Sequence, residues 1–295
     1  MIESEHKKTA VIGANSLAGR YFLKAYNLIY PDSIGTYHNG NEPHLDLFKP
    51  EIASLKLKKA GYTDVIIAAA ITNIGKCERE KEYTYARNVK GMLELIRQLA
   101  RDNLKPIFLS SNWVFDGIKG GYDENSATNP VNEYGNQKVE VEELMPEICK
   151  GNYLIIRLSK IITACKGSKS FLGEIASHLL SGEKVWAAVD QVFCPTLVND
   201  IVKAVIKLQA VNATGIIHVC SPEVWSKFDL AREIALACKV DKNMVKPIKL
   251  DELGDDICRP KHTNMVCRRL HEITLVKFES VSACIQQVAN SYLNP

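Results

Sequence analysis

The sequence predicts an α/β protein: a doubly wound parallel sheet carrying a smaller α/β substrate-binding lobe. Three observations predict it. Through the first half of the chain, short apolar runs alternate with helical stretches of ten or more residues. Some of those runs, such as Val65-Ile66-Ile67-Ala68-Ala69, are apolar without alternation, as strands covered on both faces are. Beyond about Ser159 the pattern loosens into shorter pieces. We therefore expect a sheet domain over residues 1–158 and a smaller lobe over 159–295, interleaved with it.

Each element has its own justification. Thr9-Ala10-Val11-Ile12 is a short apolar strand that runs into Gly13-Ala14-Asn15-Ser16-Leu17-Ala18-Gly19. Tyr21, Phe22, Ala25 and Leu28 then repeat at helical spacing. A second strand is expected at Ser33–Tyr37, with Asp46-Leu47 in a turn or short strand, and Pro50 opens a helix to about Lys59. After the Val65–Ala69 strand, a long helix spans about Glu82 to Ala100, and Pro106–Ser110 is another buried strand. Turn formers fill Asp116 to Pro130, a helix runs from Tyr134 to about Glu147, and Leu154–Arg157 is the next strand. The remainder reads as helices near Ser170–Leu180, Asp200–Leu208, Phe228–Cys238 and Val281–Tyr292. A strand falls at Ile216–Val219, and a short segment at Val185-Trp186 precedes the loop Asp190–Thr196.

Composition narrows the class. Of 295 residues, 46% are apolar and 24% charged, ordinary for a globular chain, and a net charge of +3 with scattered cations gives no nucleic-acid stripe. No apolar run approaches the length of a membrane span, and the polar start, Met1 to Lys8, is no secretory signal, so a cytoplasmic location is expected. Nine cysteines at irregular spacing, without a C-x-x-C pair, read as reduced thiols, several of them buried. Neither they nor the seven histidines show metal-ligand spacing, so no metal is expected.

Two motifs carry chemistry. The Gly13–Gly19 loop lies between a strand and a helix, where glycines let the backbone approach a pyrophosphate and the helix N-terminus favours the anion. Its spacing is that of G-x-x-G-x-x-G with Ser16 in the middle place. Thr36-Tyr37-His38-Asn39, at the end of the second strand, holds no carboxylate to grip a ribose 2′-hydroxyl, which favours NADPH over NADH; no arginine stands there to hold the 2′-phosphate either. Asp46 reads as a contact to the adenine edge or as a solvent-facing carboxylate. In the second motif, Tyr134 and Lys138 are four apart and share a helix face. A neighbouring ammonium eases ionisation of a phenol, and the Ser111 hydroxyl completes a trio able to hand a proton to a carbonyl. Gly13, Ala68-Ala69-Ala70 and Ser110-Ser111 all fall at the carboxyl ends of the expected strands, one edge of the sheet.

Longer stretches carry a family resemblance. Ser110-Ser111-Asn112-Trp113-Val114-Phe115-Asp116-Gly117 resembles S-T-D-Y-V-F-D-G; Tyr122-Asp123-Glu124, Asn129-Pro130 and Tyr134-Gly135 follow in order. Asp190-Gln191 with Pro195-Thr196 fits D-Q-x-x-x-P-T, and Gly215–His218 and Arg259-Pro260 fit two later signatures. From about Thr9 to Val288 the chain resembles an extended short-chain dehydrogenase/reductase with a Rossmann-type sheet, most closely the dTDP-4-dehydrorhamnose reductase branch. The resemblance implies reduction of the C4 keto group of a nucleotide-linked 4-keto-6-deoxy sugar. It makes Tyr134 the proton donor, Lys138 the holder of the nicotinamide ribose, and Ser111 a bond to the carbonyl oxygen. On the cofactor side it implies Gly13, Asn15, Ser16, Leu17 and Gly19 at the pyrophosphate, with Asp46, Leu47, Ala68, Ala69, Ala70 and Asn88 further along. On the substrate side it implies Ser111, Asn112, Val114, Phe115, Lys160, Gln191 and Pro195.

Three departures bear on the substrate. Asn112 replaces the branch's aspartate, Gly75 stands in place of another, and Arg157-Leu158-Ser159-Lys160 ends the R-x-x-W signature in lysine, an anion partner or an exposed side chain. Two other readings stay open: an epimerase or dehydratase of the same superfamily, and a non-catalytic regulatory subunit like the reductase-like one that serves methionine adenosyltransferase. A homodimer is expected by base rate.

Overall fold

Side chains of the central strands sort themselves onto two faces, and that sorting builds the fold. The computed structural model describes residues 7–38, 43–165, 171–254 and 256–293. Met1–His6, Asn39 at the expected end of the second strand, and Ser170 at the expected start of a helix lie outside the described residues. Strands β1 (Thr9–Ile12), β2 (Gly35–Thr36), β3 (Asp64–Ile67), β4 (Lys105–Ser111), β5 (Leu154–Leu158) and a strand at Gly215–Val219 form one parallel sheet. Its order is β2-β1-β3-β4-β5 followed by the Gly215–Val219 strand.

The register lines up Val11, Ile66, Ile107 and Leu154 across four strands. The next row is Ile12, Ile67, Phe108, Ile155 and Ile216. Successive residues of a strand point to opposite faces, so these rows feed two separate cores. The first packs against Phe22 and Tyr26 of helix α1 (Leu17–Ile29) and against the helix Val198–Ala210. Leu95, Ile96 and Leu99, then Val141 and Met145, cover the second row. With both faces buried, the strands need no alternation. The Rossmann-type α/β class expected from the sequence is the class observed.

In the part expected to form the smaller lobe, a separate hydrophobic cluster is built from the helices Phe171–Leu180, Lys227–Ala237 and Val281–Leu293 beside a parallel pairing of Val185–Ala188 with Val245–Ile248. The chain returns to the main sheet between these pieces, through the helix Val198–Ala210 and the Gly215–Val219 strand.

Two expected helices differ. Pro50 to Lys59 forms only a 3₁₀ turn at Ala53–Leu55, ended by Lys56 at φ +49°. Gln98 takes over backbone groups that a longer helix would use, donating to Pro50 O at 2.7 Å and accepting from Ile52 N at 3.1 Å. The long helix expected from Glu82 to Ala100 is broken into α3 (Lys81–Tyr85), a π-helical turn (Ala86–Gly91) and α4 (Met92–Arg101), with a short α2 (Ile74–Arg79) before it. Gly91 shows why: a Cβ there would lie 1.5 Å from Leu47 O, so the turn is pressed directly on that backbone. A π turn re-aims side chains, and such turns gather at functional sites.

Candidate active site

The chain reverses direction across the sheet between β1 and β3, and ligands of such sheets sit beyond the carboxyl ends of strands at that point. Gly13 leaves β1 at φ +84°, and a Cβ there would meet Ala69 N at 2.7 Å. Only glycine lets the two strand ends close up this far. Ser16 caps α1, its Oγ accepting from Gly19 N at 3.0 Å. Ser16, Leu17 and Ala18 of the helix start line the opening, and the unpaired N–H groups of a helix N-terminus suit an anion.

A cleft of about 420 Å³ opens here. Ser16 and Leu17 line one end, Ala68–Ala70 the middle, and Ser111, Asn112, Tyr134 and Lys138 the wall beyond. Lys160, Gln191, Phe193 and Lys227 bring the smaller lobe to it. A second cleft of about 170 Å³ adjoins, lined by Gly13, Asn15, Ser16, Tyr37, His38, Leu47, Ala69, Ala70 and Arg87.

Helix α5 (Glu133–Cys149) presents Tyr134 and Lys138 one turn apart. Its N-cap, Asn132, accepts from Gly135 N at 3.0 Å and donates to Cys258 O at 3.1 Å. A Cβ at Gly135 would meet Trp113 O at 2.3 Å, so α5 rests on the turn that follows Ser111. That contact brings the phenol to the serine. Ser111 Oγ accepts from Trp113 N at 3.2 Å, and Tyr134 is only 9% exposed.

The electrostatics differ from the expected ones. Burial pushes the Tyr134 phenol up to about 12, offset in part by the hydrogen bond with Ser111, and Cys77 pushes it further up. Lys138 Nζ donates to Leu109 O at 2.9 Å and sits 4.4 Å from the Phe108 ring centroid and 5.9 Å from that of Tyr134. Burial pushes the ammonium down to about 8, against the pull of Glu142 one turn on. The phenol is thus held above its usual value rather than acidified as expected, because burial is the largest influence on it.

Of the other expected site residues, Gly13, Asn15, Ser16, Leu17, Leu47 and Ala68–Ala70 line the clefts, as do Asn112, Lys160 and Gln191. Asn112 donates to Ser159 Oγ at 3.3 Å and Thr263 O at 3.0 Å, tying β5's end to the loop beyond. Six stand elsewhere. Gly19 packs α1 on the turn, where a Cβ would meet Gly13 O at 2.2 Å. Asn88 clamps the backbone of Ile71, accepting from its N at 2.8 Å and donating to its O at 2.9 Å. Val114 and Phe115 are fully buried in the sheet's core, where Phe115 stacks on Tyr122 at 4.3 Å, because the 3₁₀ turn Asn112–Val114 swings them inward. Pro195 is buried and lines neither cleft. Asp46 lines neither, but its carboxylate lies 3.5 Å from Arg87 Nη2 and 3.8 Å from His38 Nδ1.

Sequence reasoning passed over Arg87 and Lys227. Lys227 caps the lobe end of the cleft beside Lys160, their Nζ atoms 5.6 and 4.9 Å from the Phe171 ring centroid. Burial pushes both ammonium groups down, and Lys160 and Arg259 push Lys227 further. Two crowded cations at one end of a cleft favour an anion there.

The residues fit a dinucleotide. Gly13 lets the β1 turn close onto Ala69 at the floor of both clefts, and Arg87 Nε and His38 Nδ1, of residues lining the second, are buried without a hydrogen-bond partner. Among the described residues no group of His, Cys, Asp and Glu is placed to hold a metal ion, and no helix is long and apolar enough to cross a membrane.

Residues 8–294 match the family described as RmlD substrate binding domain. The chain belongs to that family. It is 25% identical to a probable low-salt glycan biosynthesis reductase, Agl14, of Haloferax volcanii, over 86% of this chain and 87% of that one. It is equally 25% identical to methionine adenosyltransferase 2 subunit beta of Danio rerio, over 93% and 87%. A dTDP-4-dehydrorhamnose reductase from Bacillus anthracis, solved in complex with NADP, shares the fold at a TM-score of 0.84 and 24% identity, covering 96% of this chain and 98% of that one. RmlD-like members of this kind are NAD(P)-dependent sugar-nucleotide reductases, though the subunit beta relative stands among them.

Proposed function

We propose that this protein reduces the C4 keto group of a nucleotide-linked 4-keto-6-deoxy sugar, with NADPH as the favoured cofactor. One observation carries the reading: Ser111, Tyr134 and Lys138 line the same cleft as the start of α1 and the Ala68–Ala70 turn. The bound nicotinamide supplies the hydride. Ser111 and Tyr134 hold the ketone oxygen by hydrogen bonds, and Tyr134 gives it a proton as it becomes an alcohol. A phenol near 12 remains protonated at neutral pH and is ready to donate. Lys138 holds the ribose hydroxyls and supplies positive charge beside the developing oxyanion. Lys160 and Lys227 receive the substrate's diphosphate, and Gln191 frames the sugar. The protein acts in the cytoplasm, as a homodimer.

The test is a panel of nucleotide-linked 4-keto sugars, following loss of NADPH absorbance. Tyr134→Phe keeps dinucleotide affinity and loses at least about 100-fold in kcat, the usual weight of a general acid. Unchanged turnover removes Tyr134 from the mechanism. Net NADPH consumption with an alcohol product separates reduction from epimerisation or dehydration, in which hydride returns to the sugar. A regulatory role is the second reading, favoured by the length of the match to the subunit beta protein. It predicts no turnover on any keto sugar and a stable complex with a methionine adenosyltransferase.

A further inference from the structure

Arg87 reaches the second cleft from the π turn, not from the end of β2 where the sequence lacks an arginine. The side chain is 12% exposed and lies with its guanidinium 5.0 Å from the Phe48 ring centroid, which fixes its plane. Its Nη1 is 3.5 Å from Tyr83 Oη, its Nη2 3.5 Å from Asp46 Oδ1, and its Nε is buried with no hydrogen-bond partner. Across the same carboxylate oxygen, at 3.8 Å, stands His38 Nδ1, also buried and also without a hydrogen bond. Charge-assisted pairs close to about 2.7–2.9 Å when saturated. Asp46 thus reaches both nitrogen groups only at long range, and its Oδ1 is also taken by Phe48 N at 3.0 Å.

We propose that Arg87, with His38 beside it, binds the 2′-phosphate of the adenosine half of the cofactor, and that Arg87 is the residue selecting NADPH over NADH. A planar guanidinium with an unused Nε–H offers a paired fork to phosphate oxygens. The three sides of the proposal agree. Thr36-Tyr37-His38 carries no carboxylate to claim a 2′-hydroxyl. The cleft that holds Arg87 and His38 is continuous, through Ser16, Ala69 and Ala70, with the cleft that holds Tyr134. Arg87 sits in the π turn whose last residue, Gly91, packs against Leu47 O, and Leu47 lines the same cleft.

The proposal rests on the dinucleotide half of the reading above and not on the sugar. Its test is therefore calorimetric titration of the whole chain with adenosine 2′,5′-bisphosphate and with 5′-AMP. The wild-type protein binds the bisphosphate at least about tenfold more tightly, as a charged, forked pair warrants. Arg87→Met brings the two ligands within about threefold and leaves 5′-AMP affinity nearly unchanged, and Arg87→Lys retains part of the preference as a point charge. Asp46→Asn releases Arg87 and tightens bisphosphate binding relative to 5′-AMP; this variant decides the matter if Arg87→Met does not fold. Equal affinities in the wild type, a preference that survives Arg87→Met, or a selective loss of 5′-AMP binding in Asp46→Asn would each overturn it. Absence of keto-sugar turnover leaves the calorimetric result standing, whereas equal affinities leave a reductase that runs on NADH.

Discussion

The ion pair beneath the site offers a quantitative trial of how α5 is held. Arg157 of β5 donates from Nε to both carboxylate oxygens of Glu142 at 3.2 and 3.0 Å, and from Nη2 at 2.6 Å. Both side chains are nearly sealed, 4% and 3% exposed, and Arg157 lies 5.2 Å from the Phe115 ring. Removing one member strands the other. Arg157→Met leaves a carboxylate buried among Phe115 and the β5 strand, a loss of about 3–5 kcal/mol. Adding Glu142→Leu restores most of it, since apolar side chains of similar volume often match a buried pair. Urea unfolding of the two variants at one pH reads both numbers; a loss below about 1 kcal/mol in the single variant would show that the pair does not anchor α5. The pair also reaches the chemistry. Glu142 holds the Lys138 ammonium up against burial, so Glu142→Gln drops it below its value of about 8. Because that value lies below the usual 10.5, the folded chain binds fewer protons than the unfolded one between those limits. The Lys138 contribution to stability therefore rises with pH across that window, and the penalty is fully present below it. In Glu142→Gln the window opens at lower pH. On the proposed role of Lys138, dinucleotide affinity then begins its alkaline fall at lower pH than in the wild type.

Two further outcomes follow from the geometry. Gly13→Ala places a Cβ 2.7 Å from Ala69 N at a positive φ, so we expect a loss of about 1–3 kcal/mol in urea unfolding, together with loss of dinucleotide binding in calorimetry. Lys160→Met with Lys227→Met removes two crowded cations, so thermal stability holds or rises while KM for a nucleotide-linked keto sugar increases about tenfold or more. An unchanged KM would move the diphosphate away from that end of the cleft.

What was legible in the sequence is what local pattern and chain order determine. Unbroken apolar runs gave both faces of β3 and β5 to cores, and the glycine spacing after β1 marked the strand-to-helix turn, because those signals lie within a few residues. Tyr134 and Lys138 were likewise paired correctly in position, since four residues are one turn. The phenol is raised rather than lowered because burial is the largest influence on it, and helical spacing says nothing of how deeply a side chain is buried. Val114 and Phe115 were implied as substrate residues by the family resemblance alone. The 3₁₀ turn Asn112–Val114 sends both into the core instead. The π turn was invisible for a different reason: its last residue, Gly91, lies against Leu47 O, more than forty residues upstream.

That same turn explains how a chain without an arginine at the end of β2 still brings one to the second cleft. Had Ala86–Gly91 continued as regular α-helix, the extra residue of the π turn would be absent and every side chain before it would rotate by about 100° relative to those after it. Asn88 fixes the turn from the other side by bonding Ile71 on both its N and its O, and Gln137 of α5 at 2.8 Å. One buried amide therefore ties together the Ala68–Ala70 end of β3, the turn that aims Arg87, and the helix that carries Tyr134. The position marked in the sequence as a cofactor contact acts instead as the joint between both halves of the cleft.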